Sequence, residues 1–215
     1  FSCTLGETNG EEYGTQMATL LTVCTGNICR SPIAAMLLES QLSTEGLTVA
    51  SAGTHPQEGA MMPRPAQAVA HRLGISSATY KRHRARMLRT ADVDAAALIL
   101  AMSRDHRRFI ADIRPSARSK TFTIREFARL TRDLSEQDLR VLSRNTKEAD
   151  LAERLSELAG LVASQRGKAH PPKAPGDDDI VDPYRKSRFV YRRSGTQLED
   201  AARQTSLAIR TVLTT

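Results

Sequence analysis

The residues best suited to chemistry lie in one string, Val23-Cys24-Thr25-Gly26-Asn27-Ile28-Cys29-Arg30-Ser31-Pro32. Cys24 closes a short run of β-forming residues, and Pro32 opens an apolar-periodic stretch, so the string reads as the loop of a strand–loop–helix unit. In that setting the backbone N–H groups of Thr25, Gly26, Asn27, Ile28 and Cys29 turn into a concave nest, and the helix adds the positive end of its dipole. An oxyanion fits such a nest. The same field favours a thiolate, so Cys24 is expected below the free value of about 8.5, in the range of roughly 3.5–7.5 found at helix N-termini. A thiolate facing a bound phosphate attacks phosphorus and forms a phosphocysteine. The planar fork of Arg30 suits two phosphate oxygens at once. Ser31 has a hydroxyl to donate to the sulfur as it departs. Gly26 and Asn27 tolerate positive φ better than other residues, which a loop with inward-turned amides requires. A cysteine and an arginine separated by five residues are a weak signal alone, and Cys24 by itself reads as a small buried hydrophobe. The whole string in its strand–loop–helix setting outweighs that reading.

The elements that must hold this loop are legible as alternating runs. Residues 19–24 read as a strand and 33–42 as a helix. Residues 47–52 form a second strand closed by Gly53, and 66–73 a helix that stops at Gly74, a C-cap. Residues 96–102 are a buried strand, and 120–124 a fourth. Strands separated by helices imply parallel pairing with right-handed crossovers. The expected fold class is therefore α/β: a doubly wound, four-stranded parallel sheet with helices on both faces. From residue 134 to about 162, Leu134, Leu139, Leu142, Leu151, Leu155, Leu158 and Leu161 recur at helical positions. Residues 167–179, rich in Pro, Lys and Asp, read as a mobile linker. Residues 198–212 read as an amphipathic helix packed on the sheet.

A chain of 215 residues with 40% hydrophobic content suits one sizeable domain, expected over residues 17–215. The first sixteen residues carry Glu7, Glu11 and Glu12 and no Lys or Arg, unlike a secretory signal, and read as a tag or extension. No apolar run approaches the roughly 20 residues of a membrane helix. Cys3, Cys24 and Cys29 cannot make a disulfide framework, and they suit a reducing cytoplasm. A net charge of +7 and a pI near 9.7 fit simple solubility, an anionic substrate or nucleic acid. The chain has no aromatic-interleaved RNA-binding string and no zinc-ligand spacing, so nucleic acid is disfavoured.

The string from Val23 to Pro32 resembles the active-site loop of the low-molecular-weight protein tyrosine phosphatases. The resemblance implies a second motif near the C-terminus, and Asp182-Pro183-Tyr184 stands there. It implies that Asp182 protonates the leaving group and then takes a proton from the water that cleaves the phosphocysteine. Tyr184 would line the pocket mouth. Asp177, Asp178 and Asp179 are competing carboxylates without the Pro-Tyr context. By the same resemblance Asn27, Ser51 and His83 form a hydrogen-bond network that shapes the loop, although His83 also reads as a solvated histidine in a basic stretch. Cys29 matches a second loop cysteine able to trap an oxidised Cys24 as a disulfide; a small packed side chain is the competing reading.

The match covers most of residues 19–130 and resumes at Ile180. Residues 54–59 carry no aromatic where eukaryotic members place a Trp or similar ring. Ser103 follows Met102 where many relatives have an acidic residue. The segment over about 131–176 is longer than usual and reads as a helical insertion. The stretch from Asp182 to Ser187 is more similar to bacterial members. The implied activity is hydrolysis of phosphotyrosine monoesters without a metal or organic cofactor, because the loop amides and Arg30 supply the positive field. The implied partner is a phosphotyrosine protein, a bacterial tyrosine kinase or its target, with a small phosphate ester and phosphoarginine left open, as is oligomeric state. An arsenate reductase of the same fold needs further cysteines downstream, and none follows Cys29. A non-enzymatic phosphate- or nucleic-acid-binding module is the rival of another class, but such a chain should have lost Cys24, Arg30 or Asp182.

Overall fold

The computed structural model describes residues 19–174 and 176–213. The extension expected over residues 1–16, with Cys3, lies outside them. Four strands, β1 (Thr19–Cys24), β2 (Thr48–Gly53), β3 (Ala96–Ala101) and β4 (Thr121–Thr123), form one parallel sheet in the order β2-β1-β3-β4. The chain leaves β1 toward β2 on one side and returns through β3 on the other. Strand order thus reverses beside β1, and a crevice opens there at the carboxyl ends of β1 and β3. Cys24 is the last residue of β1. The sheet topology puts the cysteine where a doubly wound fold binds its ligand.

Nine helices of the described chain surround the sheet: α1 (Arg30–Gln41), α2 (Arg64–Arg72), α3 (Ser77–Arg82), α4 (Thr90–Ala95), α5 (Arg104–Ile113), α6 (Ile124–Arg132), α7 (Glu136–Asn145), α8 (Leu151–Ser164) and α9 (Arg188–Leu213). Side chains alternate across each strand. Leu20, Cys24, Leu98 and Leu100 point into a large core with α1, α6, α8 and α9. Leu21, Val23, Ile99 and Ala101 point into a smaller one with Val93, Ile110 and Ala117. Cover on both faces is why the strands read as near-continuous apolar runs.

The helical segment expected over about 131–176 is α7 and α8, and it is built into the fold. Leu155, Leu158 and Val162 are fully buried in the large core. Ser143 of α7 donates to the Val212 carbonyl at 3.1 Å, and Arg154 of α8 donates to the same oxygen. That places a cation at the negative end of the α9 dipole.

Two expectations are corrected. Residues 167–179 do not behave as a free linker: the Asp178 carboxylate binds Arg129 at 2.8 and 3.1 Å, the Asp179 carboxylate accepts the Arg104 N–H at 2.8 Å, and the His170 carbonyl accepts from Arg129 at 2.8 Å. The polar composition that reads as linker is a set of ion-pair partners for arginines on α5 and α6. The last helix begins ten residues earlier than the apolar period indicates, at Arg188 rather than Leu198, because its first turns are arginine-rich and half solvated. No described helix is long and apolar enough to cross a membrane.

Leu155→Ala is expected to lower the unfolding free energy by about 2–5 kcal/mol, the range for a buried leucine truncated in a packed core. Urea or thermal unfolding reads this directly. A change within about 0.5 kcal/mol, as for a surface site, would mean that α8 is an appendage.

Candidate active site

The loop between β1 and α1 is shaped around Asn27. This residue is fully buried and has φ 50°, in the left-handed region that Asn tolerates. Its Nδ2 donates to Ser31 Oγ at 3.0 Å and to Ser51 Oγ at 2.9 Å, and its Oδ1 accepts the Arg86 N–H at 3.0 Å. Its carbonyl lies 2.6 Å from His83 Nε2. A carbonyl only accepts, so Nε2 carries the proton. Burial lowers the His83 pKa below its ordinary 6.5, opposed by this bond. The structure therefore brings Asn27, Ser51 and His83 together. Of the two loop residues that tolerate positive φ, Asn27 takes it and Gly26 does not.

The end of β2 clamps the loop backbone: Thr54 N–H donates to the Cys24 carbonyl and His55 N–H to the Thr25 carbonyl, both at 2.9 Å. Gly53 makes this approach feasible, because a Cβ there would lie 2.6 Å from the Thr25 carbonyl oxygen. On the other side, α1 starts at Arg30 with Cys29 as its N-cap and no side-chain cap. The N–H groups of its first turn are thus left without a side-chain acceptor.

Cys24 Sγ lies 3.0 Å from Ser31 Oγ and accepts the Asn27 N–H at 3.3 Å. The Arg30 guanidinium, 7% exposed, reaches the Asp182 carboxylate at 3.1 Å and the Ile180 carbonyl at 3.4 Å. Asp182 is 55% exposed and accepts the Tyr184 N–H at 3.2 Å. Cys24, Thr25, Gly26, Ile28, Cys29 and Arg30 line one cavity of about 280 Å³. Asp182 and Tyr184 close its mouth, with His55, Gln57 and Ala60 opposite. Neither Asp177, which caps the Ala174 N–H at 2.9 Å, nor the two aspartates after it lines this cavity. Among the described residues no three His, Cys, Asp or Glu side chains cluster to hold a metal ion.

Cys29 is buried, and burial pushes its thiol up to about 12, partly offset by the Tyr191 hydroxyl 3.9 Å away. Tyr191 is itself pushed up by burial. Cys29 is therefore a neutral thiol at physiological pH, and both loop cysteines are free.

Sequence reasoning missed His106. One ring nitrogen lies 2.8 Å from Thr25 Oγ1 and the other 2.8 Å from Ser103 Oγ, so Ser103 joins a chain of hydrogen bonds that ends in the loop. Burial, reinforced by the charge of Arg30, lowers the His106 pKa to about 4. The available signal was Ser103 spaced three residues before His106 at a helix start, just after a buried strand. Gly53, Arg86 and Tyr191 were also not assigned to the site.

A cysteine-terminated strand, an amide-lined loop and an arginine facing an aspartate define a phosphate-monoester site. A family model described as "Low molecular weight phosphotyrosine protein phosphatase" matches residues 19–146. A protein-arginine-phosphatase of Geobacillus stearothermophilus is 41% identical over 108 residues, 50% of this chain and 70% of the relative. The low-molecular-weight protein-tyrosine-phosphatase Wzb of Salmonella typhi is 31% identical over 192 residues, 88% of this chain and 93% of the relative. The solved YwlE arginine phosphatase from Geobacillus stearothermophilus superposes with a TM-score of 0.62 at 28% identity, covering 90% of this chain and 94% of that one. The chain belongs to the low-molecular-weight protein tyrosine phosphatase family. It is a phosphatase.

The neutral form of His106 links the site to stability. A histidine whose folded pKa is depressed contributes stability that is present above its unfolded value of 6.5 and is lost as pH falls toward the folded value of about 4. Between these limits wild type is expected to lose about 3 kcal/mol more than His106→Gln. Urea unfolding at a series of pH values measures the difference. Parallel pH profiles for the two proteins would contradict it.

Proposed function

We propose that the chain hydrolyses phosphotyrosine in proteins through a phosphocysteine on Cys24. The phosphate sits among the amides of residues 25–29 with Arg30 gripping two of its oxygens. Cys24 Sγ attacks phosphorus, the bond from phosphorus to the tyrosyl oxygen breaks, and Asp182 gives its proton to the departing phenolate. Asp182, now a carboxylate, takes a proton from water as the water oxygen attacks phosphorus. The sulfur–phosphorus bond breaks, inorganic phosphate leaves, and Ser31 and the Asn27 N–H stabilise the released thiolate. Asn27, Ser51 and His83 are positioning residues that keep the loop amides aimed at the phosphate. The observation that carries this reading is the Arg30–Asp182 contact of 3.1 Å at the mouth of the cavity that Cys24 lines.

The choice of phosphotyrosine rests on the cavity wall. Ile28, Ala60 and the ring of Tyr184 offer apolar surface to an aryl group. Phosphoarginine would bring a guanidinium with N–H donors to satisfy. Among the described residues lining the cavity, Asp182 is the sole carboxylate, and the reaction already uses it. Because one relative is an arginine phosphatase and another a tyrosine phosphatase, the substrate test compares the two directly. A bacterial tyrosine kinase or its target is the protein substrate this reading names. The cytoplasm is the compartment that keeps both loop thiols reduced.

Wild type is expected to turn over p-nitrophenyl phosphate in excess chelator. Cys24→Ser should abolish this, and Asp182→Ala should slow it by roughly 100-fold or more. A phosphotyrosine peptide should be hydrolysed faster than the matching phosphoarginine peptide. Retained turnover in Cys24→Ser would refute the mechanism, and the reverse peptide preference would refute the substrate.

A further inference from the structure

A second cavity, of about 700 Å³, lies beside the catalytic one between α2 and the start of α9. Exposed Arg64, Arg72, Arg188 and Arg192 rim it, and its floor includes Val69 and the buried Tyr191. The two cavities share a wall, since Tyr191 OH lies 3.9 Å from Cys29 Sγ and Cys29 lines the catalytic cavity. Gly195 sets the shape of this floor. A Cβ there would come within 2.6 Å of Val69 Cγ1, so α2 could not lie this close to α9 with any other residue.

The charge of this groove is unbalanced. Among the described residues none of its four guanidinium groups is paired with a carboxylate; Arg72 donates instead to the Arg192 carbonyl at 3.3 Å. Elsewhere Arg86, Arg107, Arg114 and Arg129 each hold a carboxylate within 2.9 Å. The other arginine-rich cavity, around Arg104 and Arg108, contains Asp105, Asp112 and Asp179 and so supplies its own counter-charge. Four uncompensated cations around an apolar floor repel one another, and of the four guanidinium groups only Arg72, through the Arg192 carbonyl, bonds across from α2 to α9 among the described residues.

We propose that this groove is an exosite for an acidic segment of the phosphoprotein whose phosphotyrosine occupies the catalytic cavity. The inference rests on the phosphatase reading above and extends it to substrate choice. Guanidinium forks match carboxylates bidentately, and the floor between them takes the apolar parts of a peptide. A free inorganic anion would leave that floor uncovered. The shared wall at Tyr191 lets one extended chain reach both cavities.

The test compares p-nitrophenyl phosphate with two phosphotyrosine peptides, one flanked by Asp and Glu and one by Asn and Gln, on wild type and on Arg64→Glu/Arg188→Glu. In the variant, kcat/KM for the acidic peptide should fall roughly tenfold, while p-nitrophenyl phosphate and the neutral peptide change less than about twofold. The wild-type preference for the acidic peptide should also shrink as salt rises. A wild type that turns over p-nitrophenyl phosphate but treats both peptides alike overturns the exosite alone. A wild type inactive on p-nitrophenyl phosphate overturns the phosphatase reading and the exosite with it. Competition by short polyphosphate without discrimination between the peptides would assign the groove to a free polyanion and overturn the proposal.

Discussion

The buried amide of Asn27 is the constraint on which the catalytic loop depends. Its two polar atoms meet three segments: Nδ2 donates to Ser31 at the head of α1 and to Ser51 on β2, and Oδ1 accepts the Arg86 N–H beyond α3. Its backbone carbonyl meets His83. A buried polar group left without its partner costs about 1–3 kcal/mol, so each segment is held in place by the others. The left-handed backbone at Asn27, unfavourable for most residues, persists because these bonds over-determine it. The sheet order follows the same logic, since β2 must lie beside β1 for Ser51, Gly53 and Thr54 to reach the loop.

The guanidinium of Arg30 and the Asp182 carboxylate that it meets are supported from different parts of the chain. Arg30 and the loop amides belong to the buried start of α1. The segment carrying Asp182 is fixed by the Asp178–Arg129 and Asp179–Arg104 pairs just before it, and the Ile180 N–H donates to the Met102 carbonyl at 2.9 Å. The aspartate is thus delivered to the mouth of the cavity from the end of β3, while its own side chain stays half in water. That arrangement leaves the carboxylate open to solvent while it faces a buried guanidinium.

What was legible in the sequence was local. The string around Cys24 and the apolar strands buried on both faces each carry their signal within a few neighbouring residues, whereas Asp182-Pro183-Tyr184 alone reads as a turn and gains meaning only beside the cysteine loop. What was not legible depends on partners far along the chain. His106 meets Thr25 across 81 positions, and Ser103 three residues before it marks a helix start but not that distant partner. The aspartates of residues 177–179 read as a solvated run until Arg104 and Arg129 are placed opposite them. The arginine-rich first turns of α9 hid its start because their period is polar. Residue type alone left Gly26 and Asn27 equally suited to a left-handed backbone, and the distant side-chain partners of Asn27 mark it as the one that takes it.

The Arg30–Ile180 bond spans 150 positions, and its consequence concerns how the protein comes into being. Parallel pairing and such distant closures give a high contact order, which slows folding because loop entropy must be lost before the contacts form. A ribosome making this chain exposes Cys24 before Asp182. Chain segments released before residue 180 hold the thiol loop but lack the groups that finish it. The cavity around Cys24 is therefore closed only once the segment around residue 180 has been made and has folded against Arg30.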